Sequence, residues 1–301
     1  MIAVANAPVS YGAFEITVGI DPHVPDPVSL LEWVARAGYA GIDLGPVGYL
    51  GTGEQLTTRL SASALGISGG YFELPFSDPA ALADALPGLD ALLDVLDAVA
   101  PDPLAPKPTL ADAGSPERAR YPGRAAIDPS LGLDDAGWRA FGDGLGRAAD
   151  RCRQRGYEPT FHHHTGTYVE AQWEIERMLE LSDVGLCLDT GHLLVGGGDA
   201  RVALRDWRER INHLHLKDAK LAIIEQIVSD AAPVREIWRR RAFCALGAGD
   251  IDIPKVLDAI AEGSYEGWLV VEQDILPDPD NPEQPAIDQR HNREYLRERG
   301  L

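Results

Sequence analysis

Six of the chain's eight histidines fall between His162 and His215. They sit in three short motifs, FHHHTGT (161–167), LDTGH (188–192) and INHLHLKD (211–218), and a fourth motif, WLVVEQD (268–274), ends in carboxylates. Imidazoles and carboxylates are the donors that hold a divalent cation, and mixed N/O sets suit Mn²⁺, Co²⁺, Fe²⁺ or Zn²⁺, with carboxylates pulling toward Mn²⁺. An octahedral ion with four protein ligands keeps two positions for a ketone and its neighbouring hydroxyl. The same residue types serve in proton transfer next to such an ion.

Strand parity says which of these side chains can meet, because alternate residues of a strand face opposite sides. In INHLHLKD, Leu214 and Leu216 belong against helices, which turns His213, His215 and Lys217 inward. In VGLCLDTGH, Leu186 and Leu188 face outward, so Cys187 and Asp189 face in. Leu269 and Val271 likewise send Val270 and Glu272 inward. Phe161 wants the helix layer, which aims His162 and His164 inward and leaves His163 pointing out or joining the loop. His213 lies one inward step deeper than His215 and reads as structural, and Cys187 reads as core. Two imidazoles and two carboxylates (His162, Asp189, His215 and Glu272) thus form a metal constellation at the end of four strands.

The elements that would carry them alternate from end to end. Strand candidates are IAVANAPVS, GIDLG, ISGGYFELP, KPTLADA, EPTFHHH, VGLCLDT, INHLHLKD and WLVVEQD, with helical patterns such as DPVSLLEWVARAG and LDDAGWRAFGDGLGRAADRCRQRG between them. Helices begin after Asp or Ser and stop at Gly, as capping requires. Eight such units in 301 residues read as one α/β domain, a single (β/α)8 TIM barrel spanning 1–301. Rim insertions are expected near 101–134, as a long Pro/Gly-rich loop, and near 218–246, as an Arg-rich helical segment. Barrel active sites form at the C-terminal mouth of the strands, where these polar residues collect.

Bulk composition narrows the partners. Acidic residues outnumber basic ones 47 to 27, for a net charge of -20, which repels phosphate backbones and excludes nucleic acid and anionic membrane as partners. No apolar run approaches the roughly 18 residues of a membrane span. The opening MIAVANAPVSYG has no basic region before an apolar stretch, so no signal peptide is expected. Three scattered cysteines, Cys152, Cys187 and Cys244, fit a reduced cytoplasm better than a disulfide framework. A small molecule is the expected partner, and a homo-oligomer is compatible with the composition.

With HHHTGT (162–167), LDTGH (188–192), HLHLKD (213–218), GAGDID (247–252) and GWLVVEQD (267–274) in this order, the chain resembles the sugar isomerase/epimerase superfamily with a xylose-isomerase-like barrel. Within it the inosose dehydratase (2-keto-myo-inositol dehydratase) branch is most similar. NAPVSYG and AGYAGIDLG agree in pattern in the first half. The resemblance implies a divalent metal, Mn²⁺ or Co²⁺ ahead of Zn²⁺ or Fe²⁺, on Asp189, His215 and Glu272. The epimerases place a Glu on the fifth strand as fourth ligand and acid/base; here that position is His162, which argues against epimerisation by a two-carboxylate mechanism. His192 matches a residue that binds a substrate hydroxyl.

The chemistry expected is dehydration of a keto-inositol or similar keto-polyol. A cation polarises the ketone and acidifies the adjacent C–H, a base removes that proton, and the β-hydroxyl departs. Glu272 is a candidate base, though a ligand carboxylate is a poor one, and Lys217, His164 and His192 are candidates to protonate the leaving group. His163, Asn6 and Glu73 complete the expected substrate contacts, with Ser10 and Glu15 at the ends of early strands. Ketose epimerisation or isomerisation, β-elimination from a 3-keto-glycoside, and a non-catalytic polyol-binding barrel are the rivals. GGG at 196–198 reads as a flexible rim loop, the Arg239–Arg241 run as a solvated helix face, and Trp238 as packing.

Overall fold

The computed structural model describes residues 1–99 and 104–301. Its strands are β1 (Ile2–Asn6), β2 (Gly41–Ile42), β3 (Gly66–Ile67 continuing as Gly69–Leu74), β4 (Lys107–Asp112), β5 (Thr160–His162), β6 (Gly185–Asp189), β7 (Ile211–Leu216) and β8 (Gly267–Val271). All pair in parallel, β1 with β2 and β8, and β4 through β8 in succession. The two halves of β3 form the two ends of the sheet order, one pairing with β2 and the other with β4. The sheet therefore closes through Ser68, whose backbone N–H reaches Ile42 and whose carbonyl takes the N–H of Lys107. The expected closed parallel α/β barrel is what the chain forms.

Local chemistry explains the helices between strands. Asp26, Asp78 and Asp134 accept the free backbone N–H groups that open Pro27–Ala37, Pro79–Asp97 and Asp135–Gln154, which satisfies donors no helix can satisfy itself. Leu186, Leu188, Leu214, Leu216, Leu269 and Val271 all join the apolar layer between sheet and helices. Inside the barrel, Ala3, Ala5 and Ala7 pack around Trp268 and Val270. Small residues on β1 make room for the large one on β8.

Two details differ from the sequence expectations. The insertion expected over 101–134 begins only after Asp112, since Lys107–Asp112 is β4 itself; residues 101–103 lie outside the described residues. It then runs through the short helix Pro116–Arg120 and two 3₁₀ turns, Arg124–Ala126 and Pro129–Leu131. Nor is GGG (196–198) a flexible loop: a Cβ on Gly196 would collide with the carbonyl oxygen of Glu170, so the glycine permits close backbone approach. The second insertion carries a two-stranded antiparallel ribbon, Asp218–Ala219 with Phe243–Cys244, and the helices Leu221–Ser229 and Arg235–Arg239.

Candidate active site

A register shift between Leu186 and Cys187 sets His213 opposite Cys187 and His215 opposite Asp189. His215 in turn is level with Val270 of β8, two residues before Glu272. These registers bring four donor atoms together at the mouth. His162 Nε2 lies 3.1 Å from His215 Nδ1 and 3.6 Å from Asp189 Oδ2. His215 Nδ1 is 3.7 Å from Asp189 Oδ2 and 3.1 Å from Glu272 Oε2. Ligands bound at about 2.0–2.2 Å to one ion stand about 3.0–3.5 Å from one another, so the spacing and the donor chemistry fit a divalent cation. All four side chains are buried, and buried carboxylates at this density need positive charge beside them.

Lys217 supplies a positive charge in the same cluster. Its Nζ is 3.0 Å from Asp189 Oδ2, 2.9 Å from Glu272 Oε2 and 2.8 Å from Asp274 Oδ1. It also stands 2.9 Å from His192 Nε2. Burial would lower the lysine's pKa, but the carboxylates outweigh it and raise it well above the ordinary value. Conversely, burial pushes Asp189 up while Lys217 and the neighbouring imidazoles hold it well below the usual range. His162 and His164 are both lowered, chiefly by burial, and favour the neutral ligand form.

The other expected contacts divide. His164 lines the cavity, its ring 4.0 Å from that of His192. Glu73 stands exposed at the cavity edge and accepts from the Tyr71 hydroxyl at 2.7 Å. His192 sits behind Lys217, with Thr165 Oγ1 2.8 Å from its Nδ1, so both ring nitrogens already have protein partners. His163 needs correction as a substrate contact: it is fully buried, and its Nε2 accepts the backbone N–H of Asp189 at 3.1 Å, bracing β6. Asn6 also turns away, its amide donating to Val271 O and Gln289 Oε1, because its partner helix lies outside the barrel. Ser10 receives the N–H of Gln273.

The cavity holds about 170 Å³, a small-molecule volume. Its metal-side wall is His162, His164, His215, Lys217, Glu272 and Asp274, and Glu15, Asp43, Glu73 and Tyr71 face them. Trp238 closes one side against Phe14, with ring centroids 5.4 Å apart; it is a cavity wall, not simple packing. Sequence reasoning passed over Asp43, just past β2, and Tyr71, within β3, although both follow inward parity. A larger cavity of about 470 Å³ lies at the opposite end, by Lys107, His213 and Trp268, away from the donor cluster.

Buried carboxylates tie the surrounding loops. Asp218 accepts four backbone N–H groups, from Ala219, Gly247, Gly249 and Ile251, which is why HLHLKD and GAGDID occur together. Arg118 binds both oxygens of Glu174 at 2.9 Å and reaches Glu170 at 3.4 Å. Glu170 takes the N–H of Gly166, so this fork fixes the HHHTGT loop to the insertion after β4.

The fold and site are those of a closed parallel barrel with an N/O donor cluster, a buried lysine and further imidazoles at the C-terminal mouth. The chain belongs to the xylose isomerase-like TIM barrel family, whose model matches residues 31–298. It is similar to the inosose dehydratase of Clostridium perfringens, 32% identical over 176 residues, 58% of each chain; it thus spans somewhat over half the length of that relative. Its fold is that of a D-allulose 3-epimerase from Methylomonas sp. (TM-score 0.68, 14% identity, 99% and 98% of the two chains). It is also that of the IolI protein crystallised with a zinc atom (TM-score 0.69, 13% identity, 98% and 96%). Among the described residues no helix is long and apolar enough to cross a membrane.

Proposed function

We propose that this chain is a divalent-metal-dependent carbon–oxygen lyase that dehydrates a keto-inositol or a similar keto-polyol. The observation that carries the reading is the convergence of His162 Nε2, Asp189 Oδ2, His215 Nδ1 and Glu272 Oε2 at one end of a small cavity. The likeness to an inosose dehydratase chooses the substrate class. The zinc of the IolI protein supports a resident cation, and the two carboxylates favour Mn²⁺ or Co²⁺. When bound, the ion polarises the substrate ketone and makes the adjacent C–H acidic. Lys217, kept protonated by Asp189, Glu272 and Asp274, lies where negative charge develops on substrate oxygens. His164, neutral at physiological pH, lines the cavity as a partner for substrate hydroxyls.

The test is NMR product analysis in D2O with scyllo-inosose, comparing metal-loaded and EDTA-treated protein. A dehydrated dione formed only with metal supports the reading. Deuterium incorporated without loss of water redirects it to an epimerase or a keto-glycoside lyase. No reaction with metal bound removes this substrate.

A further inference from the structure

The proposed chemistry uses the donor side of the cavity and leaves another side without a role. Pro8, Val9, Phe14 and Ile16 after β1, Pro46 after β2 and Trp238 of the helix Arg235–Arg239 all line it. They form one continuous surface. β1 pairs with β2, Pro8 stands where a Cβ on Gly45 would meet it, and the ring centroids of Phe14 and Trp238 are 5.4 Å apart. Phe14 is 9% exposed, yet it joins none of the apolar cores among the described residues. Ile16 is 50% exposed and Val47, beside Pro46, is 43% exposed, so the apolar side continues outward to the rim.

Such a surface points to an apolar ligand group. Its six lining residues offer a single polar side-chain atom, the indole nitrogen of Trp238. Hydroxyls of a bare polyol turned toward them would lose water and gain no partner. An apolar group loses nothing polar there and removes apolar surface from water. Charge narrows the group further. Glu15, Asp43 and Glu73 border the same cavity, and Lys217, the one lysine or arginine lining it among the described residues, is held by three carboxylates. A phosphate or carboxylate substituent is therefore repelled. The volume of about 170 Å³ is below the roughly 300–1,000 Å³ of pockets for drug-sized ligands. It suits one polyol ring, with a substituent running out over Ile16.

We propose that the substrate is a keto-polyol bearing an uncharged apolar substituent, an aryl or alkyl group that packs on Phe14, Ile16 and Trp238 while the polyol ring meets the donor cluster. This deepens the lyase reading and rests on it for the ring.

Calorimetric binding of methyl, phenyl and 4-carboxyphenyl β-D-glucopyranosides to the Mn²⁺-loaded protein tests the substituent. These polyols lack the ketone, so affinity is read without turnover. Phenyl is expected to bind at least about 10-fold more tightly than methyl, a modest share of the roughly fourfold gain per fully buried methylene. The 4-carboxyphenyl compound should bind more weakly than phenyl. Trp238→Ala and Ile16→Ser should each cut the phenyl preference to below about 3-fold; Ile16 is half exposed, so its variant keeps the fold. Equal affinity for methyl and phenyl, or no measurable binding of phenyl, overturns the assignment. A preference unchanged in both variants overturns it too, by putting the substituent elsewhere. Sedimentation completes the test, since a dimer lost in Ile16→Ser would mean that a second copy of the chain covers this side, again overturning it. Dehydration of scyllo-inosose without any phenyl preference removes this inference and keeps the lyase reading. A phenyl preference with no turnover of any keto-polyol, aryl-substituted ones included, removes the lyase reading and the substrate assignment with it.

Discussion

Lys217 Nζ lies 3.0 Å from Asp189 Oδ2, inside the same shell of atoms that would coordinate a cation. An ammonium from the end of β7 and a divalent ion therefore compete for the Asp189 carboxylate at the end of β6. The metal-free protein depends on the lysine for neutrality, and the metal-loaded protein depends on it less.

Lys217→Met should accordingly destabilise the metal-free protein by about 3–5 kcal/mol, the usual result of removing one partner of a buried ion pair. Added Mn²⁺ should recover more of the loss in the variant than it adds to wild type. Thermal unfolding with and without EDTA measures both; an unchanged metal-free Tm would refute the neutralising role.

Metal content should follow the donor set. His162→Ala and His215→Ala are expected to weaken divalent-ion binding by more than the roughly 10–100-fold typical of losing a supporting residue. Elemental analysis after dialysis against buffered Mn²⁺ gives the answer. Full occupancy in His162→Ala would mean that the fifth-strand ligand lies elsewhere in the histidine run.

The Arg118 fork predicts a stability effect well removed from the donors. Arg118→Met strands Glu170 and Glu174 in a buried site and should cost about 3–5 kcal/mol in urea unfolding. Arg118→Lys keeps the charge but not the two-pronged geometry, so it should fall between. Equal midpoints for wild type and Arg118→Met would contradict a buried network.

Burial raises the Asp112 carboxyl from 3.8 to about 6, against the pull of N–H groups from Tyr168 and Gly114. A raised folded-state pKa means the native state holds the proton more tightly. Its contribution is then full below about pH 3.8 and lost as pH rises through about 6. Asp112→Asn should flatten this part of the profile, so wild type should lose more Tm than the variant between pH 4.5 and 6.5. Parallel profiles would show that Asp112 does not titrate in this window.

The sequence carried the barrel because two periods coexist in it. Leu214 and Leu216 or Leu269 and Val271 mark one strand face as apolar, so His215, Lys217 and Glu272 had only one direction left. Capping residues such as Asp26 and Asp134 marked the helices with equal clarity, since their signal is local. Parity also led to Asp189 and His162, and those side chains do meet.

Tertiary structure alone decided what the remaining polar groups touch. Parity could not tell that His163 would hydrogen-bond Asp189 across a strand pair, or that Asn6 would turn to Gln289. Each depends on a partner more than 20 residues away whose position the local pattern does not encode. Lys217 could have reached solvent at its strand end; only closure of the barrel, which sets Asp189, Glu272 and Asp274 around its Nζ, keeps it inside. Hydrogen-bond satisfaction of this kind belongs to the whole fold and not to the segment.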